Sequence, residues 1–293
     1  MARQEIKAAN RRRRASNLSR QTSLIKAGGI SFKDYPLEEA IYRMKSVGYD
    51  GWEVFTPQLA KVKTPELLEQ FVDYTKRVGL PVCAVNDNDS DLFTPFDPNG
   101  GFERTLQLMK GGVRLAHALG VNDVMYWEGV RPRGNNQSED ELLKIIVRLY
   151  KEAIGYSSKF EVRFLVEPHP FSLGMDLDYL VKLSDALDPK YFGVLYDTCH
   201  FGVGKPKGYI ESIRHLGNRI KYIHFSDSDQ RTSELHYPLG MGRLDIDGIV
   251  DAFREIDYDG KISLDTWGYP LPEEASRVGI PVLRKTLKKL GLD

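Results

Sequence analysis

The sequence predicts an α/β fold in the form of a closed (β/α)₈ barrel. Past residue 20, short apolar runs alternate with longer amphipathic segments, and eight short runs recur about every 30–40 residues, as repeated strand–helix units do. Strands that alternate with helices indicate a parallel sheet with right-handed crossovers, and eight such units close into a barrel. A doubly wound open sheet is the alternative, but no glycine-rich phosphate fingerprint follows the first run.

The predicted strands are short and mostly apolar. After its first residue the run Arg163–Val166 is wholly apolar, which is typical of a strand buried on both faces of a sheet. In chain order the predicted strands are Ser23–Ala27, Gly51–Phe55, Pro81–Asn86, Asp123–Trp127, Arg163–Val166, Phe192–Tyr196, Ile220–Phe225 and Lys261–Leu264. They place one barrel domain at residues 21–293, after a polar, basic arm at residues 1–20.

Helix-length segments fill the intervals between these strands. In one of them, apolar residues three and four apart form a single stripe, made of Phe102, Leu106, Met109, Val113 and Ala116. Two intervals also end alike, because Gly48–Gly51 and Asp257–Gly260 each follow a helical pattern and precede a strand. Both are predicted to be the same type of turn, with a left-handed residue at the helix end.

Charge composition limits the classes of partner. The chain has 41 acidic and 41 basic side chains, so its formal net charge is zero and a general nucleic-acid binder is not expected. The local exception is the run Arg11–Arg14, which lies in the arm and is interpreted as a solvated, poorly ordered segment.

Cysteine usage and hydropathy indicate the compartment. The only two cysteines are Cys83, in the third predicted strand, and Cys199, in the segment that ends the sixth. Two are too few for a disulfide framework and fit a reducing cytosol. No apolar run approaches the ~20 residues that span a bilayer, and no apolar core of a secretory signal follows the basic N-terminus. We therefore expect a cytoplasmic protein without a membrane partner.

Four late strands end in ionisable residues, at the place where a barrel opens its active-site mouth. Glu167, Asp197, His224 and Asp265 each come directly after an apolar run, where an unpaired charge is costly to bury. Taken singly, each could be a buried capping or salt-bridging residue. As a set, three carboxylates converging on one cavity call for a cation, and with one imidazole they suit Mn²⁺ or Mg²⁺ better than a thiolate-rich zinc site does.

The same strand ends resemble the xylose isomerase-like TIM barrels of the sugar phosphate isomerase/epimerase superfamily over residues 23–290. The matching segments are Leu165–Pro168, Asp197–His200, His224–Arg231 and Leu239–Asp245. The resemblance implies that the four strand-end residues bind one Mn²⁺, with Mg²⁺ or Co²⁺ as alternatives. It also implies that His200 and Arg231 contact the hydroxyls or the carbonyl of a sugar.

Two positions depart from the ketose 3-epimerases of that superfamily, which use a glutamate on each face of the substrate carbon. Asp265 stands at the second of those positions, and its side chain is one methylene shorter. His169 is the second departure, and it would join Glu167 in the cavity if the strand continued through Pro168. A neutral histidine there is a natural base near pH 7, whereas the alternative role is to orient a metal ligand.

The segment Glu167–His169 resembles the metal-binding subunit of bacterial C-glycoside deglycosidases. This resemblance implies a carbon–carbon lyase for 3-keto C-glycosides, with His169 and Glu167 as catalytic residues. The base removes the C2 hydrogen, and the aglycone leaves C1 by β-elimination. It also implies a hetero-oligomer with a small, β-rich partner subunit. The alternative is a Mn²⁺-dependent isomerase or epimerase that converts a ketose or an inosose through an enediolate.

Residues at other strand ends are predicted to contact substrate. Trp127 and Glu128 end the fourth strand and could form a wall for a sugar or an aromatic ring. Asn86 ends the third strand and could bind hydroxyls, with a turn as its alternative role. Glu53 is equally compatible with facing the sugar and with packing, and His236 is weighed as a loop contact to an aglycone or a subunit.

Two further classes of function are alternatives. A DNA-repair enzyme of the endonuclease IV type would need histidines after the second and third strands, which instead end near Glu53 and at Asn86-Asp87. A non-catalytic sugar-binding barrel would hold no metal.

Overall fold

A closed barrel of eight parallel strands confirms the predicted (β/α)₈ class. The computed structural model describes residues 25–62, 64–87, 93–127, 129–130 and 134–292. The predicted arm at residues 1–20 and the first two residues of the predicted strand Ser23–Ala27 lie outside the described residues.

Each strand pairs in parallel with the next one along the chain, and β8 closes the barrel against β1. From β2 onwards the predicted strands agree with the observed bounds to within one residue at either end. The strands are β1 (Lys26–Ala27), β2 (Gly51–Phe55), β3 (Val82–Asn86), β4 (Asp123–Tyr126), β5 (Arg163–Val166), β6 (Phe192–Asp197), β7 (Ile220–Phe225) and β8 (Lys261–Leu264).

Helices cover the outside of the barrel, and the interval between β6 and β7 holds two of them. The α-helices of the described residues are α1 (Leu37–Val47), α2 (Pro65–Val78), α3 (Gly101–Leu119), α4 (Glu139–Ser157), α5 (Leu177–Asp185), α6 (Thr198–Gly204), α7 (Tyr209–Leu216), α8 (Ile246–Glu255) and α9 (Pro272–Leu290). Short 3₁₀ turns occupy Gly29–Phe32, Thr56–Leu59, Ser158–Phe160, Leu173–Met175 and Gly217–Arg219. Among the described helices, none combines the length and the apolar character that crossing a bilayer requires.

The two similar turns predicted from sequence are confirmed. Gly48 after α1 has φ +105° and Asp257 after α8 has φ +53°, so both helices end in a left-handed residue. In each turn the next residue, Tyr49 or Tyr258, donates its backbone N–H back into the helix and is itself buried. An αβ turn of this form returns the chain sharply to the start of the following strand.

The apolar core forms two shells. A large cluster packs between the sheet and the helices, whereas the lumen is filled by a separate cluster of Ala84, Met125, Leu165, Leu195 and Tyr222. Because side chains along a strand alternate between the two faces of the sheet, the second residue after each lumen residue points into the lumen again. Those later positions lie at the C-terminal mouth of the barrel.

The opposite, N-terminal end of the barrel holds a buried carboxylate that is paired with two cations. Asp123 is buried at the start of β4, where its carboxylate accepts hydrogen bonds from Lys261 Nζ at 2.7 Å and from Arg163 Nε at 2.8 Å. Burial alone would raise the pKa of Asp123, but the two cations outweigh it and lower that pKa below its usual value. Asp123 therefore stays ionised and links β4 to β5 and, across the barrel, to β8.

We expect Asp123→Ala to reduce the free energy of unfolding by about 3–5 kcal/mol at pH 7, because it leaves Lys261 and Arg163 without their counter-charge. The folded-state pKa of Asp123 lies below the ordinary value, so its stabilising contribution is present above about pH 4 and is lost as the pH falls through the folded-state pKa. Urea unfolding at several pH values measures both effects. The difference in the free energy of unfolding between the wild type and the variant should become smaller as the pH is lowered.

A matched control is Glu152→Ala, which removes an exposed partner of Arg148 one helical turn away in α4. Its effect should stay within about 0.5 kcal/mol. A loss below about 1 kcal/mol for Asp123→Ala at pH 7 would contradict the structural role assigned to this carboxylate.

Candidate metal centre

The four predicted metal ligands lie together at the C-terminal mouth because of the two-residue repeat of the strands. Each follows a residue of the lumen by two positions, and the pairs are Leu165 and Glu167, Leu195 and Asp197, Tyr222 and His224, and Ser263 and Asp265. All four polar side chains are buried. Parallel strands with the same alternation therefore present them to one cavity.

The imidazole of His224 is the geometric centre of this cluster. Its Nδ1 atom lies 2.8 Å from Glu167 Oε1, 3.8 Å from Asp197 Oδ2 and 3.6 Å from Asp265 Oδ2. On the far side of the ring, Nε2 lies 2.9 Å from Glu53 Oε2. The ring is thus held between a carboxylate that orients it and three carboxylates that face the cavity.

Glu53 is the orienting group whose role the sequence left open. It lies in the lumen on β2 and is fully buried, and a ligand histidine commonly pairs its second nitrogen with a carboxylate in this way. Burial alone would lower the pKa of His224, but Glu53 and Glu167 raise it well above the usual value. The same contact lowers the pKa of Glu53 despite its burial. A charged residue within the otherwise apolar strand Gly51–Phe55 was the signal available in sequence.

The donor set fits a divalent cation. Asp197 Oδ1 accepts the backbone N–H of His200 at 2.8 Å and so caps α6, whereas Oδ2 is buried and has no hydrogen-bond partner among the described residues. Asp265 Oδ1 accepts hydrogen bonds from Ser31 Oγ and from the Trp267 N–H, which leaves Oδ2 directed at the histidines. A buried, unpartnered carboxylate oxygen is costly unless a cation neutralises it.

Beside the cluster, the rings of His200 and His169 are in contact at an interplanar angle of 39°. Their centroids are 4.0 Å apart, and the ligand atoms of Glu167, His169 and His200 all lie within 4.8 Å of one another. His200 Nδ1 donates to the carbonyl of Pro168 at 3.1 Å, so its Nε2 is the acceptor. Burial lowers the pKa of His200 to about 4.

The structure brings His169 to Glu167 although β5 ends at Val166. A turn holds the backbone of His169, whose N–H donates to Ser172 Oγ at 2.9 Å. The ring packs against that of Trp127, with centroids 3.9 Å apart and an interplanar angle of 38°. Burial, and then the neighbouring His200, lower the pKa of His169 well below its usual value, so this ring is neutral near pH 7.

His236, interpreted from sequence as a possible contact to an aglycone or a subunit, lies in the same cavity beside the predicted metal ligands. It lies in the loop between β7 and α8, yet its side chain is only 1% exposed. Its Nδ1 atom lies 3.8 Å from Asp197 Oδ2 and 3.6 Å from Asp265 Oδ2. The only signal in sequence was its place in a loop after a strand, the segment from which barrels build their sites.

The remaining predicted substrate residues fall in different places. Trp127 lines the mouth through its contact with His169. Asn86 is buried at the end of β3, next to Asp87, which accepts a hydrogen bond from Thr56 at 2.8 Å. Arg231 is exposed, and within the described part of the chain its guanidinium makes no hydrogen bond or ion pair. Glu128 lies outside the described residues.

Comparisons with known proteins agree with this architecture. A family model described as "Xylose isomerase-like TIM barrel" matches residues 41–286. The uncharacterized protein MJ1311 of Methanocaldococcus jannaschii is 21% identical over 241 residues, which cover 80% of this chain and 81% of that protein.

Solved structures match over nearly the whole chain. A D-tagatose 3-epimerase-like protein superposes with a TM-score of 0.76 at 19% identity, over 91% of this chain and 98% of that one. The IolI protein, solved with a bound zinc atom, has a TM-score of 0.76 at 19% identity, over 91% and 99%. Other neighbours are named as sugar 3-epimerases. At these identities the likeness shows the fold alone.

We expect Asp197→Asn to remove metal binding without unfolding the protein, because the amide oxygen can still cap α6 while the charge at the cavity is lost. For the wild type, Mn²⁺ or Zn²⁺ at 100 times its dissociation constant should add about 2.7 kcal/mol to the free energy of unfolding. In the variant this gain should disappear. Thermal unfolding with and without metal, together with metal analysis of the dialysed protein, measures both.

The control for that experiment is Asp178→Asn on the exposed face of α5, where the same exchange should leave the metal-dependent gain intact. An Asp197→Asn protein that keeps one metal per chain at unchanged affinity would contradict the assignment.

Proposed function

The chain belongs to the xylose isomerase-like TIM barrel family, and from this premise we propose that it is a metal-dependent enzyme that moves a proton at the carbon beside a sugar ketone. This is the reaction type of sugar isomerases and epimerases. The observation that carries the proposal is the neutral ring of His169, held beside Glu167 at the edge of a carboxylate cluster suited to a divalent cation.

The names of the structural neighbours support a keto sugar as the substrate class. They include D-tagatose 3-epimerase-like, D-psicose 3-epimerase and L-ribulose 3-epimerase proteins, whose named substrates are ketoses. We propose a free ketose or an inosose for this chain. Polar side chains at the mouth, among them His200 and Asn86, are suited to hydrogen-bond the hydroxyls of such a substrate.

Glu167, Asp197, His224 and Asp265 would hold the cation. When bound, a divalent ion such as Mn²⁺ would polarise the substrate ketone and favour the negative charge of an enediolate. Carboxylate-rich donor sets accept Mn²⁺, and Co²⁺ or Zn²⁺ are compatible with the histidine. The chain's own contribution is to gather these donors at one point with Glu53 fixing the His224 ring.

His169 is the proposed base. Its ring is neutral and packs against the rings of Trp127 and His200, so it can accept a proton from a carbon placed at the cluster. Glu167 is the second catalytic group at that face. On the other side, Asp265 already uses Oδ1 for two hydrogen bonds and directs Oδ2 at the histidines. This arrangement favours a reaction with one base over inversion with two.

A second candidate is β-elimination from a 3-keto C-glycoside. In that reaction His169 takes the C2 proton, the C1–C2 double bond forms, the bond from C1 to the aglycone breaks, and the aglycone carbon takes up a proton. A set of aromatic contacts supports this candidate. Phe171 is exposed, and its ring centroid lies 5.6 Å from that of Trp127 and 5.5 Å from that of His169. Such a wall suits a planar aglycone. A small, β-rich partner subunit belongs to this candidate.

The two reactions are separated by assaying the metal-loaded protein in D₂O with D-fructose, D-psicose and an inosose, and separately with a 3-oxo-C-glucoside. Isomer or epimer formation with deuterium at the carbon beside the ketone, and no aglycone release, supports the isomerase or epimerase. Release of the aglycone supports the lyase. The absence of product formation and of deuterium uptake with all of these substrates would contradict proton transfer beside a ketone.

We expect His169→Gln to bind metal with unchanged stoichiometry and to lose about 10²–10⁴-fold in turnover and in deuterium exchange, because the glutamine side chain cannot accept the proton. NMR of the exchange reaction and metal analysis measure the two properties. His215→Gln, on the exposed side of α7, is the matched histidine control and should change neither. Near-normal turnover in His169→Gln would show that another group is the base.

A further inference from the structure

We propose that His236 is a fifth ligand of the metal site, so that the site holds two imidazole nitrogens with three carboxylates and prefers Zn²⁺ or Co²⁺ to Mn²⁺ and Mg²⁺. The inference rests on the proposed function, because it refines the same metal centre. It assigns a ligand from the loop between β7 and α8, in addition to the four at the strand ends.

The geometry of His236 repeats that of His224. Each Nδ1 atom lies 3.8 Å from Asp197 Oδ2 and 3.6 Å from Asp265 Oδ2. Two ligand atoms, each about 2.1 Å from a metal, lie about 3.0 Å apart at a right angle and about 3.6 Å apart at 120°. The distances from each imidazole Nδ1 atom to the shared Oδ2 atoms are therefore close to those between ligands of a single cation.

Besides the two carboxylates, the buried ring has the Cys199 thiol as a polar neighbour, and a thiol is only a weak hydrogen-bonding group. Neither nitrogen of His236 has a hydrogen-bond partner within the described ranges, and Asp197 Oδ2 is unpartnered as well. The closest ring is that of His200, whose centroid is 5.2 Å away in an edge-on arrangement. Buried polar atoms are almost always paired, so an imidazole and a carboxylate oxygen that face one another without partners indicate a missing group of positive charge.

The loop is built to hold His236 in place. Its backbone N–H donates to the Trp267 carbonyl at 2.9 Å, which ties the loop to the segment after β8. The next residue, Tyr237, exchanges two backbone hydrogen bonds with Asp227, each 2.9 Å long. The Asp227 carboxylate in turn accepts backbone N–H groups from further along the loop, at Gly240 and Leu244. A ligand preorganised by its own support contributes to affinity without a large ordering cost.

A second imidazole changes which metal is favoured. Carboxylates and water suit Mg²⁺ and Mn²⁺, whereas imidazole suits Zn²⁺ and the later transition ions, which also bind most N/O sites more tightly. With four ligands the site has one nitrogen. With His236 the site has two nitrogen ligands. The added nitrogen raises the affinity for Zn²⁺ and Co²⁺ relative to that for Mn²⁺ and Mg²⁺.

The test counts nitrogen ligands directly. Pulsed EPR of the full chain loaded with Mn²⁺ resolves the ¹⁴N couplings of coordinated imidazoles, and it should show two for the wild type. His236→Gln should show one, while His200→Gln and His169→Gln should keep two. Chelator competition should show the ratio of Zn²⁺ to Mn²⁺ affinity falling by about tenfold or more in His236→Gln. His215→Gln should leave the count and the ratio unchanged.

The wild-type count keeps the inference falsifiable even if His236→Gln does not fold. A single coupled nitrogen in wild-type protein that binds one Mn²⁺ would overturn the role of His236 and leave the four-ligand site standing. Two nitrogens that persist in His236→Gln, or that fall to one in His200→Gln, would also overturn it. Failure of the wild type to bind any of these metals would instead overturn the metal centre and the proposed function together.

Discussion

Buried carboxylates that face one another across a narrow mouth are the constraint on which the rest of this molecule depends. Glu53, Glu167, Asp197 and Asp265 surround the single ring of His224. Like charges this close are tolerated only when protons or a cation lie among them. His224 compensates part of the charge, and the unpartnered Oδ2 of Asp197 marks where more is needed. The metal proposal follows from this imbalance.

The buried carboxylates at the two ends of the barrel differ in whether a basic side chain pairs with them. At the N-terminal end, Asp123 is satisfied by Lys261 and Arg163, so its charge stabilises the fold. At the C-terminal end no lysine or arginine contacts the Asp197 carboxylate among the residues described, and the charge is left for a ligand. The apolar layer that includes Leu165 and Leu195 separates the two ends. Stability and chemistry can therefore vary independently in this architecture.

The chemistry proposed here depends on the loops that surround a conventional set of donors. His169, in contact with the rings of Trp127 and His200, is the proposed base, and the loop after β7 brings His236 to the carboxylates. Asp265 accepts two hydrogen bonds through Oδ1 and directs Oδ2 at His224 and His236. In the proposed reaction, the residues of these loops would select the proton that is moved and the metal that is bound.

The sequence by itself determined the eight-strand barrel and the four donors at the strand ends, because strand periodicity and the residue after an apolar run are local properties. Only the tertiary structure decided the roles of Glu53 and His236. Glu53 orients a histidine that is 171 positions away along the chain, and His236 reaches the cavity through hydrogen bonds to Trp267 and Asp227. The path of a loop depends on distant partners that no local pattern encodes, and for this reason the sequence could not place either side chain at the metal centre.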